Sequence, residues 1–323
     1  MDKLTPKQAV VKAAGIDVSK AKFDVAVHGS SERFTAANDA QGHRRTAERL
    51  IELGVTRVGL EASGNYEFLL VTALRQAGLS VVVLDPGQVH GYRRFKKKRA
   101  KTDPIDATLI AAVTATIDED DIREPQDPRL APFAEHLTLI DQIGEDIARL
   151  KTRRDRFHDK ANKHYIEKEI VRLTRQHKQE RAKLRKKVLA HADLKQRYEL
   201  ALSVDGVGEV TALIVVVRMP ELGHMTREQA AALVGVAPFN VDTGQHAGER
   251  HIAGGRARPR KILYLAAFSA SQHWNADLQA FYERLIAKGK PTKVAFIACT
   301  RKLVIILNAV LARGTPWVKK QAA

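Results

Sequence analysis

The sequence has very little cysteine, since Cys299 is the single one among 323 residues. One thiol excludes an internal disulfide and any cysteine-rich zinc site. We expect no apolar run of the length of a membrane span, and residues 1–5 do not read as the start of a signal peptide. These absences predict a cytoplasmic protein without a membrane partner. Cys299 lies in an apolar helical stretch, so we predict a small buried hydrophobe at this position.

Acidic residues are scarce relative to basic ones, with 37 Asp and Glu against 54 Lys and Arg and a net charge of +17. An excess of this size predicts a polyanionic partner, and DNA or RNA is the expected one. The chain is also longer than one hydrophobic core usually supports, so two domains with a connector are expected. The basic residues come in blocks, as on a surface that follows a phosphate backbone, at residues 93–101, 151–163, 172–187 and 250–261.

Hydrophobic periodicity predicts an α/β arrangement for the first part of the chain. Alternating apolar residues indicate a meander of three strands, and a continuous apolar run later on is typical of a buried parallel strand. Three antiparallel strands followed by alternating helix and strand is the order of an RNase H-like domain. The predicted strands are 13–18, 22–28, 32–35, 57–61 and 80–84, with helices at 39–53 and from 64 to 77.

Two acids stand at the ends of predicted strands. Asp17 lies near the end of the first strand, and Glu61 ends the fourth. Acids at the carboxyl ends of adjacent strands lie where an open sheet binds its ligands. Taken singly, each acid is weak evidence for a site, because an Asp or Glu at a strand end is more often a solvated cap.

Two further acids open a predicted helix after the basic block. Asp103 and Asp106 are three residues apart, so their carboxylates share one helix face. Thr102 is placed to cap this helix and Pro104 to occupy its first turn. Two favourable charges at a helix N-terminus would explain this pair without any site.

The four acids together predict a metal site. Crowded carboxylates need cations, and hard oxygen ligands select Mg²⁺ or Mn²⁺. Two such ions about 4 Å apart can activate an attacking oxygen and stabilise a leaving one in phosphodiester chemistry. The predicted metal ligands and catalytic acids are Asp17, Glu61, Asp103 and Asp106.

Three segments resemble the signatures of the DEDD insertion-sequence transposases, the IS110 family: residues 15–20 (GIDVSK), 61–66 (EASGNY) and 101–107 (KTDPIDA). The resemblance implies a prokaryotic recombinase with a RuvC-like domain, a coiled-coil connector and a mainly α-helical C-terminal transposase domain. It also implies a structured noncoding RNA, the bridge RNA, which pairs with donor and target DNA. We assign these domains to residues 1–125, 126–198 and 199–323.

The basic block before the acidic pair contains two aromatic residues, Tyr92 and Phe95. Aromatic rings among cations suit a surface that grips a backbone and stacks on a base. A mobile solubilising loop is the alternative. The predicted nucleic-acid contacts are Arg93, Arg94, Lys96, Lys97, Lys98 and Arg99.

Residues 130–198 predict long helices. Leu137, Ile140 and Ile143 begin an apolar stripe with helical spacing, and few Gly or Pro interrupt it. The pattern indicates a helical hairpin or coiled coil, and homo-oligomerisation through it is a hypothesis. A solvated helix pair within one chain would give the same pattern.

The last third of the chain carries two glycine-containing segments. Gly206 and Gly208 form a turn of the helix-hairpin-helix kind, in which backbone N–H groups can meet a phosphate, although a tight turn between core helices has the same form. A second segment surrounds Gly244 and is followed by a basic run. The predicted nucleic-acid contacts here are Gly206, Gly208, Gly244, Arg256, Arg258, Arg260 and Lys261. We expect Trp274, further along, to be packed in the core.

The family resemblance also implies a nucleophilic serine before a glycine in the second segment. This chain has Thr243 at the matching position, and its extra methyl group stiffens the side chain. Thr243 attacks as the serine would, or the enzyme is slow or inactive, or another hydroxyl such as Ser269 or Ser271 substitutes. We take Thr243 as the candidate nucleophile.

The predicted function is metal-dependent DNA cleavage and strand exchange by an insertion-sequence transposase, guided by RNA, through a covalent hydroxyl-linked intermediate. Two alternatives stay open. A Holliday-junction resolvase-like endonuclease would use the four acids with water and ignore Thr243. A noncatalytic nucleic-acid-binding remnant would keep the basic blocks and tolerate loss of the acids.

Overall fold

The computed structural model describes residues 11–62, 64, 66–96, 103–118, 127–239, 242–243, 246–247 and 250–318. For residues 103–105, 242–243 and 246–247 the description covers the backbone. The chain forms two compact units, residues 1–124 and 125–323. The first is a mixed α/β sheet domain, and the second is mostly helical.

The first unit is built on a five-stranded sheet with the strand order β3-β2-β1-β4-β5. The first three strands are antiparallel neighbours, whereas β4 runs parallel to both β1 and β5. The predicted strands and helices are present, although β3 extends to Ala37 and α2 begins at Phe68 instead of directly after Gly64. The elements are β1 (Ala13–Val18), β2 (Lys22–Val27), β3 (Arg33–Ala37), α1 (Ala40–Glu52), β4 (Arg57–Glu61), α2 (Phe68–Gln76), β5 (Ser80–Leu84), α3 (Pro86–Phe95) and α4 (Asp103–Ala115).

The two faces of this sheet are covered by different helices. Even-numbered residues of the central strands, such as Ile16 and Leu60, are buried in one cluster with Leu50 of α1 and Leu70 of α2. The other face lies against α4, which contacts β1, β2 and β4. Because side chains alternate along a strand, odd-numbered residues of β1 and β4 point toward α4.

Helix α3 was not predicted from the sequence, and it carries the start of the basic block. The Asp85 side chain accepts a hydrogen bond from the Gly87 amide, and the Asp85 amide donates one to the Gln88 side-chain oxygen at 3.0 Å. Pro86 stands at the first helical position, where its fixed φ favours the helix. The interpretation of this block as a loop is therefore wrong for residues 91–95.

The second unit consists of long and short helices with two small hairpin ladders. Strand β6 pairs with β9, and β7 pairs with β8. A π-helical turn, Ala270–Trp274, follows α10. The elements are α5 (Leu130–Arg156), α6 (Lys160–Leu189), α7 (Ala192–Leu202), α8 (Glu209–Arg218), α9 (Arg227–Val234), β6 (Pro238–Phe239), β7 (Asp242–Thr243), β8 (His246–Ala247), β9 (His251–Ile252), α10 (Ala257–Ser269), α11 (Ala276–Ala287) and α12 (Thr292–Arg313).

Helices α5 and α6 contact each other, but only one end of the pair belongs to a large core. Leu137 and Ile140 of α5 and Leu184 of α6 are buried in the cluster that also contains α8 and α12. Toward the other end, Tyr165 is 69% exposed. The described part of the hairpin is thus anchored in the helical unit at the end where its apolar stripe is dense.

Two expectations about the last helices are corrected. Helix α12 is long and apolar enough to cross a membrane by length and composition, contrary to the expectation that no such run exists, but 61% of its most apolar stretch is buried within the protein. Trp274 is 64% exposed instead of packed, because it ends the π-helical turn. Cys299 is fully buried in α12, as predicted.

Candidate active site

Asp17 and Glu61 lie side by side at the ends of two parallel strands. Ile16 of β1 pairs with Leu60 of β4, so the next residue on each strand is an acid. Neighbouring strands are about 4.8 Å apart, and side chains in register point to the same face. Both acids are partly exposed, and both also interact with other groups of the protein.

The face that these acids share is the one covered by α4. A Cβ placed on Gly15 would lie 2.4 Å from the Ala107 carbonyl oxygen, and a Cβ on Gly59 would lie 1.8 Å from the Thr114 hydroxyl oxygen. Asp17 and Glu61 follow two residues later on their strands, so they point toward the same layer.

The direction of α4 brings its N-terminal turn toward Asp17 and Glu61. Arg57, at the beginning of β4, donates to the Ile117 carbonyl oxygen beyond the end of α4. Gly59 meets Thr114, one turn earlier in the helix. The strand and the helix therefore run in opposite directions, and the carboxyl ends of β1 and β4 lie on the side of the N-terminal turn of α4.

Asp106 is buried in the first two turns of α4 and is paired with Arg93 of α3. Position 103 begins the helix, one turn before Ala107 on the helical register. The Asp103 side chain lies outside the described residues, as does Thr102.

The chemistry of these donors fits a hard divalent cation, because all are carboxylates. Among the side chains that the structure describes, no three His, Cys, Asp or Glu residues are grouped closely enough to hold a metal ion. Asp17, Glu61 and Asp106 belong to that described set, and the Asp106 carboxylate is turned to Arg93. Sequence reasoning found the acids but missed this arginine partner, since it assigned Arg93 to nucleic acid.

The described part of the basic block presents cations beside aromatic rings. The Lys96 ammonium lies 5.5 Å from the centre of the Tyr92 ring and 5.8 Å from that of Phe95. Phe95 is 76% exposed, and Arg94 is exposed on the same helix. Lys97, Lys98 and Arg99 lie outside the described residues.

In the helical unit, packing explains Gly206, the first glycine of the predicted phosphate-binding turn. Gly206 has a φ of +91°, and a Cβ there would lie 2.3 Å from the Cβ of Ala270. Gly208 is the N-cap of α8, with no side-chain cap, and open space surrounds it. The close contact with the π-helical turn therefore requires glycine at position 206. This reason is independent of any ligand bound at Gly208.

Two arginines of the predicted nucleic-acid run are engaged inside the protein. Arg256 contacts both carboxylate oxygens of Glu221, at 2.9 and 2.5 Å, and donates to the Arg218 carbonyl oxygen at 2.6 Å. Arg260 donates to the Gly254 carbonyl oxygen at 2.6 Å. The Arg256 contacts hold the start of α10 against the end of α8, and Arg260 also lies 3.3 Å from the Val234 carbonyl oxygen at the end of α9.

The other two cations of the run are more exposed. Arg258 donates to the Thr138 hydroxyl at 3.2 Å and remains 53% exposed. Lys261 is exposed on α10. Of the four cations predicted to contact nucleic acid in this run, Arg258 and Lys261 are therefore the two whose charges can face it.

Thr243 lies in β7, where its backbone pairs with that of His246 in β8. Its side chain and Gly244 lie outside the described residues. Of the alternative hydroxyls, Ser271 is buried and donates to the Phe268 carbonyl oxygen at 3.0 Å. Ser271 is therefore poorly placed to attack DNA.

Comparison with known proteins gives two family matches and several relatives. Residues 14–160 match a family model for DEDD transposases of the IS110 type, and residues 198–283 match one described as the transposase of the IS116/IS110/IS902 family. The chain is 23% identical over 315 residues to the pilin gene-inverting protein of Moraxella bovis, covering 95% of this chain and 97% of the relative.

Two more relatives agree with these matches. The pilin gene-inverting protein of Moraxella lacunata is 23% identical over 316 residues, which is 95% of this chain and 97% of that protein. The insertion element IS110 uncharacterized 43.6 kDa protein of Streptomyces coelicolor is 28% identical over 155 residues, which is 47% of this chain and 37% of that protein. With its strand-end acids, its helical second unit and both transposase matches, the chain belongs to the IS110 family of DEDD transposases, which are DNA transposases or recombinases.

Proposed function

We propose that this transposase cleaves and exchanges DNA strands with divalent metal ions held by Asp17, Glu61, Asp103 and Asp106. One observation carries the proposal: Asp17 and Glu61 end adjacent parallel strands on the face covered by α4, on the side where α4 begins. The first turn of that helix contains positions 103 and 106. Four acids that are far apart in sequence are thereby directed to one region of one unit.

We also infer an RNase H-like, RuvC-like fold for the first unit. Support comes from the sheet, in which three antiparallel strands are followed by two parallel ones in the order β3-β2-β1-β4-β5. The catalytic acids of such a fold would lie at the carboxyl ends of the central strands, where this chain has Asp17 and Glu61. The remaining division, with a coiled-coil connector over 126–198 and a transposase domain over 199–323, is a proposal of the same kind.

Each acid has a distinct task in this proposal. Asp17 and Glu61, fixed by the strand ladder, offer rigid oxygen ligands, while Asp103 and Asp106 are presented by the helix. Bound Mg²⁺ or Mn²⁺ supplies Lewis acidity that stabilises negative charge on the oxygens around phosphorus. Arg94 in α3 and Lys96 at its C-terminal end are exposed, and they hold the DNA backbone near the acids.

Thr243 is the proposed nucleophile of the second unit. Its hydroxyl loses a proton, its oxygen bonds to phosphorus, and the bond from phosphorus to one sugar oxygen breaks. That sugar oxygen leaves as a hydroxyl group, and the DNA end remains linked to the protein. Lys261 and Arg258 are the cations best exposed to hold the phosphates beside it.

A guide RNA and a homo-oligomer complete the proposal. The net charge of +17 supports a polyanionic partner, and both DNA and RNA are of that kind. Two relatives are named as proteins that invert pilin genes, and inversion is a strand exchange between two sites. A site-specific reaction of that kind, with RNA as the specifying partner, is our inference for this chain.

The proposal is tested with the full chain, labelled DNA, the candidate guide RNA and Mg²⁺ on a denaturing gel. Asp17→Asn, Glu61→Gln and Asp106→Asn should each lower strand cleavage by at least about 100-fold while DNA binding persists. Glu52→Gln, at an exposed acid of α1, is the control and should cleave like the parent.

The same gel separates the alternatives. Cleavage that needs the acids but never traps protein on DNA supports the resolvase-like endonuclease. Full activity of all three acid variants would contradict the metal site. DNA binding with no cleavage by the parent, under any divalent ion, would leave the noncatalytic remnant as the better description.

A further inference from the structure

Arg93 is held inside the protein against a proposed metal ligand. Its guanidinium forms an ion pair with the Asp106 carboxylate, and the two side chains are 18% and 11% exposed. The Arg93 Nε is also buried, without a hydrogen-bond partner in the part of the chain that the structure describes. Arg93 is thus a cation of the basic block that is paired with a proposed metal ligand. A buried donor without a partner calls for an explanation.

The helices that carry this pair are packed together around it. Val89 of α3 lies in one cluster with Leu109 and Val113 of α4, and Tyr92 packs against the cluster. The backbone positions of Arg93 and Asp106 are therefore fixed by apolar contacts that do not depend on the ion pair. An exchange of partners by the guanidinium would then leave the packing of the helices in place.

We propose that Arg93 is a positioning residue that competes with the divalent cation for the Asp106 carboxylate and yields it when a nucleic-acid phosphate takes the guanidinium. The inference rests on the proposed function, since it assumes that Asp106 is a metal ligand. A guanidinium and a divalent ion are both positive, so they cannot share one carboxylate without repulsion. Removal of the guanidinium must therefore strengthen the binding of the divalent ion to Asp106.

A phosphate is the partner that would release Arg93. Arginine binds phosphate through two parallel hydrogen bonds, as it does a carboxylate. Lys96 is exposed three residues after Arg93, close to one helical turn, and would bring a phosphate backbone to this side of α3. Metal binding at Asp106 would then be favoured where nucleic acid is present.

The test is a Mn²⁺ titration of the full chain without nucleic acid, followed by the electron paramagnetic resonance signal of free Mn²⁺. Arg93→Gln should tighten Mn²⁺ binding by about tenfold or more, because it removes a competing charge near the ligand. Arg94→Gln removes the same charge from an exposed neighbouring position and is the matched control, with an expected change below about twofold.

Two further variants tie the effect to Asp106. Arg93→Gln combined with Asp106→Asn should show no gain over Asp106→Asn alone, since the competition needs the carboxylate. Arg93→Lys, which keeps a charge but not the fork, should lie between the parent and Arg93→Gln. Thermal unfolding in EDTA identifies any variant whose fold is damaged, and Arg93→Lys then carries the comparison.

The outcomes are distinguishable. Equal or weaker Mn²⁺ binding by well-folded Arg93→Gln and Arg93→Lys would overturn this inference and leave Arg93 as a simple link between α3 and α4. Mn²⁺ binding by well-folded Arg93→Gln that is no tighter than that of the Arg93→Gln, Asp106→Asn double variant would instead refute Asp106 as a metal ligand, and with it the proposed metal site.

A second readout concerns coupling. Saturating DNA should raise the Mn²⁺ affinity of the parent by a larger factor than that of Arg93→Gln, because binding effects of two ligands are reciprocal through the shared residue. The same factor in both chains would contradict the exchange of partners.

Discussion

The backbone of Gly15 in β1 lies directly against the backbone of Ala111 in α4. A Cβ at position 15 would fall 2.1 Å from the Ala111 amide nitrogen and 2.4 Å from the Ala107 carbonyl oxygen. Both neighbours are main-chain atoms of a helix and cannot swing aside. This contact sets the distance between α4 and the strand that carries Asp17, so it governs how closely the helix acids approach the strand acids.

Gly15→Ala should therefore separate the strand from the helix. We expect it to lower the free energy of unfolding by about 3 kcal/mol, because overpacking forces the backbone to move. DNA cleavage should fall even where the variant remains folded. Gly91→Ala, at a helical glycine with open space around its Cβ position, is the control and should be neutral or slightly stabilising.

Urea unfolding and a cleavage assay on both variants provide the measurement. Parent-like stability and cleavage in Gly15→Ala would mean that α4 and β1 are not as close as this structure has them.

Arg256 and Lys261 should respond differently to the loss of charge. Arg256→Gln breaks the contacts with Glu221 and Arg218, so we expect a loss of about 2 kcal/mol in unfolding free energy. Lys261→Gln, at an exposed position, should change that free energy by less than about 0.5 kcal/mol.

DNA affinity separates the two residues further. Lys261→Gln should weaken binding at all sequences and reduce its salt dependence, as expected for a phosphate contact. The comparison uses urea unfolding and fluorescence anisotropy at several salt concentrations. If Arg256→Gln unfolds like the parent and loses DNA affinity instead, the arginine contacts phosphate after all.

Thr243 is tested by a pair of substitutions. Thr243→Ser should retain or raise the yield of the protein–DNA adduct, because serine keeps the hydroxyl and loses the methyl group that crowds attack. Thr243→Ala should abolish the adduct. A denaturing gel with end-labelled DNA measures both. Adduct formation by the alanine variant at the parent's level would exclude Thr243, and Ser269 would be the next hydroxyl to replace.

Acidic pH should weaken one cluster of ion pairs in the helical unit. Arg129 bridges Asp127 and Asp193, with its guanidinium 2.6 Å from an oxygen of each. Hydrogen bonds from Arg129 hold the pKa of both carboxyls below the ordinary value. A lowered pKa in the folded state stabilises the fold above the unfolded-state pKa, and this contribution is lost as pH falls through the folded-state pKa.

The expected result is a difference in melting temperature between the parent and Arg129→Gln that is present near neutral pH and shrinks below about pH 4. The difference should be small because these side chains are largely exposed. Arg153→Gln, at an exposed arginine of α5, serves as the control. A difference that grows toward acid pH would contradict the assigned direction.

Local patterns were enough to predict much of the first unit. Strand β4 was predicted at its observed bounds, because a short apolar run between turns leaves little choice of structure. Helix α3 was missed although its signal is present in the sequence, where Asp85 and Gln88 have the spacing of a capping box and Pro86 stands at the first helical position. The error on Trp274 has another cause. Residue type predicts burial on average, but a π-helical turn changes which face a side chain takes.

In the first unit, the sequence by itself determined most of the elements, their order and the position of Asp17 and Glu61 near strand ends, since these follow from periodicity within a few residues. Only the tertiary structure decided which partner each charge would have. Arg93 faces Asp106 across 13 positions, and Arg256 faces Glu221 across 35. Such pairs depend on how helices pack, and packing is set by contacts between distant residues that no local pattern encodes. An arginine in a basic block therefore looks the same in the sequence whether it binds phosphate or a carboxylate of its own chain.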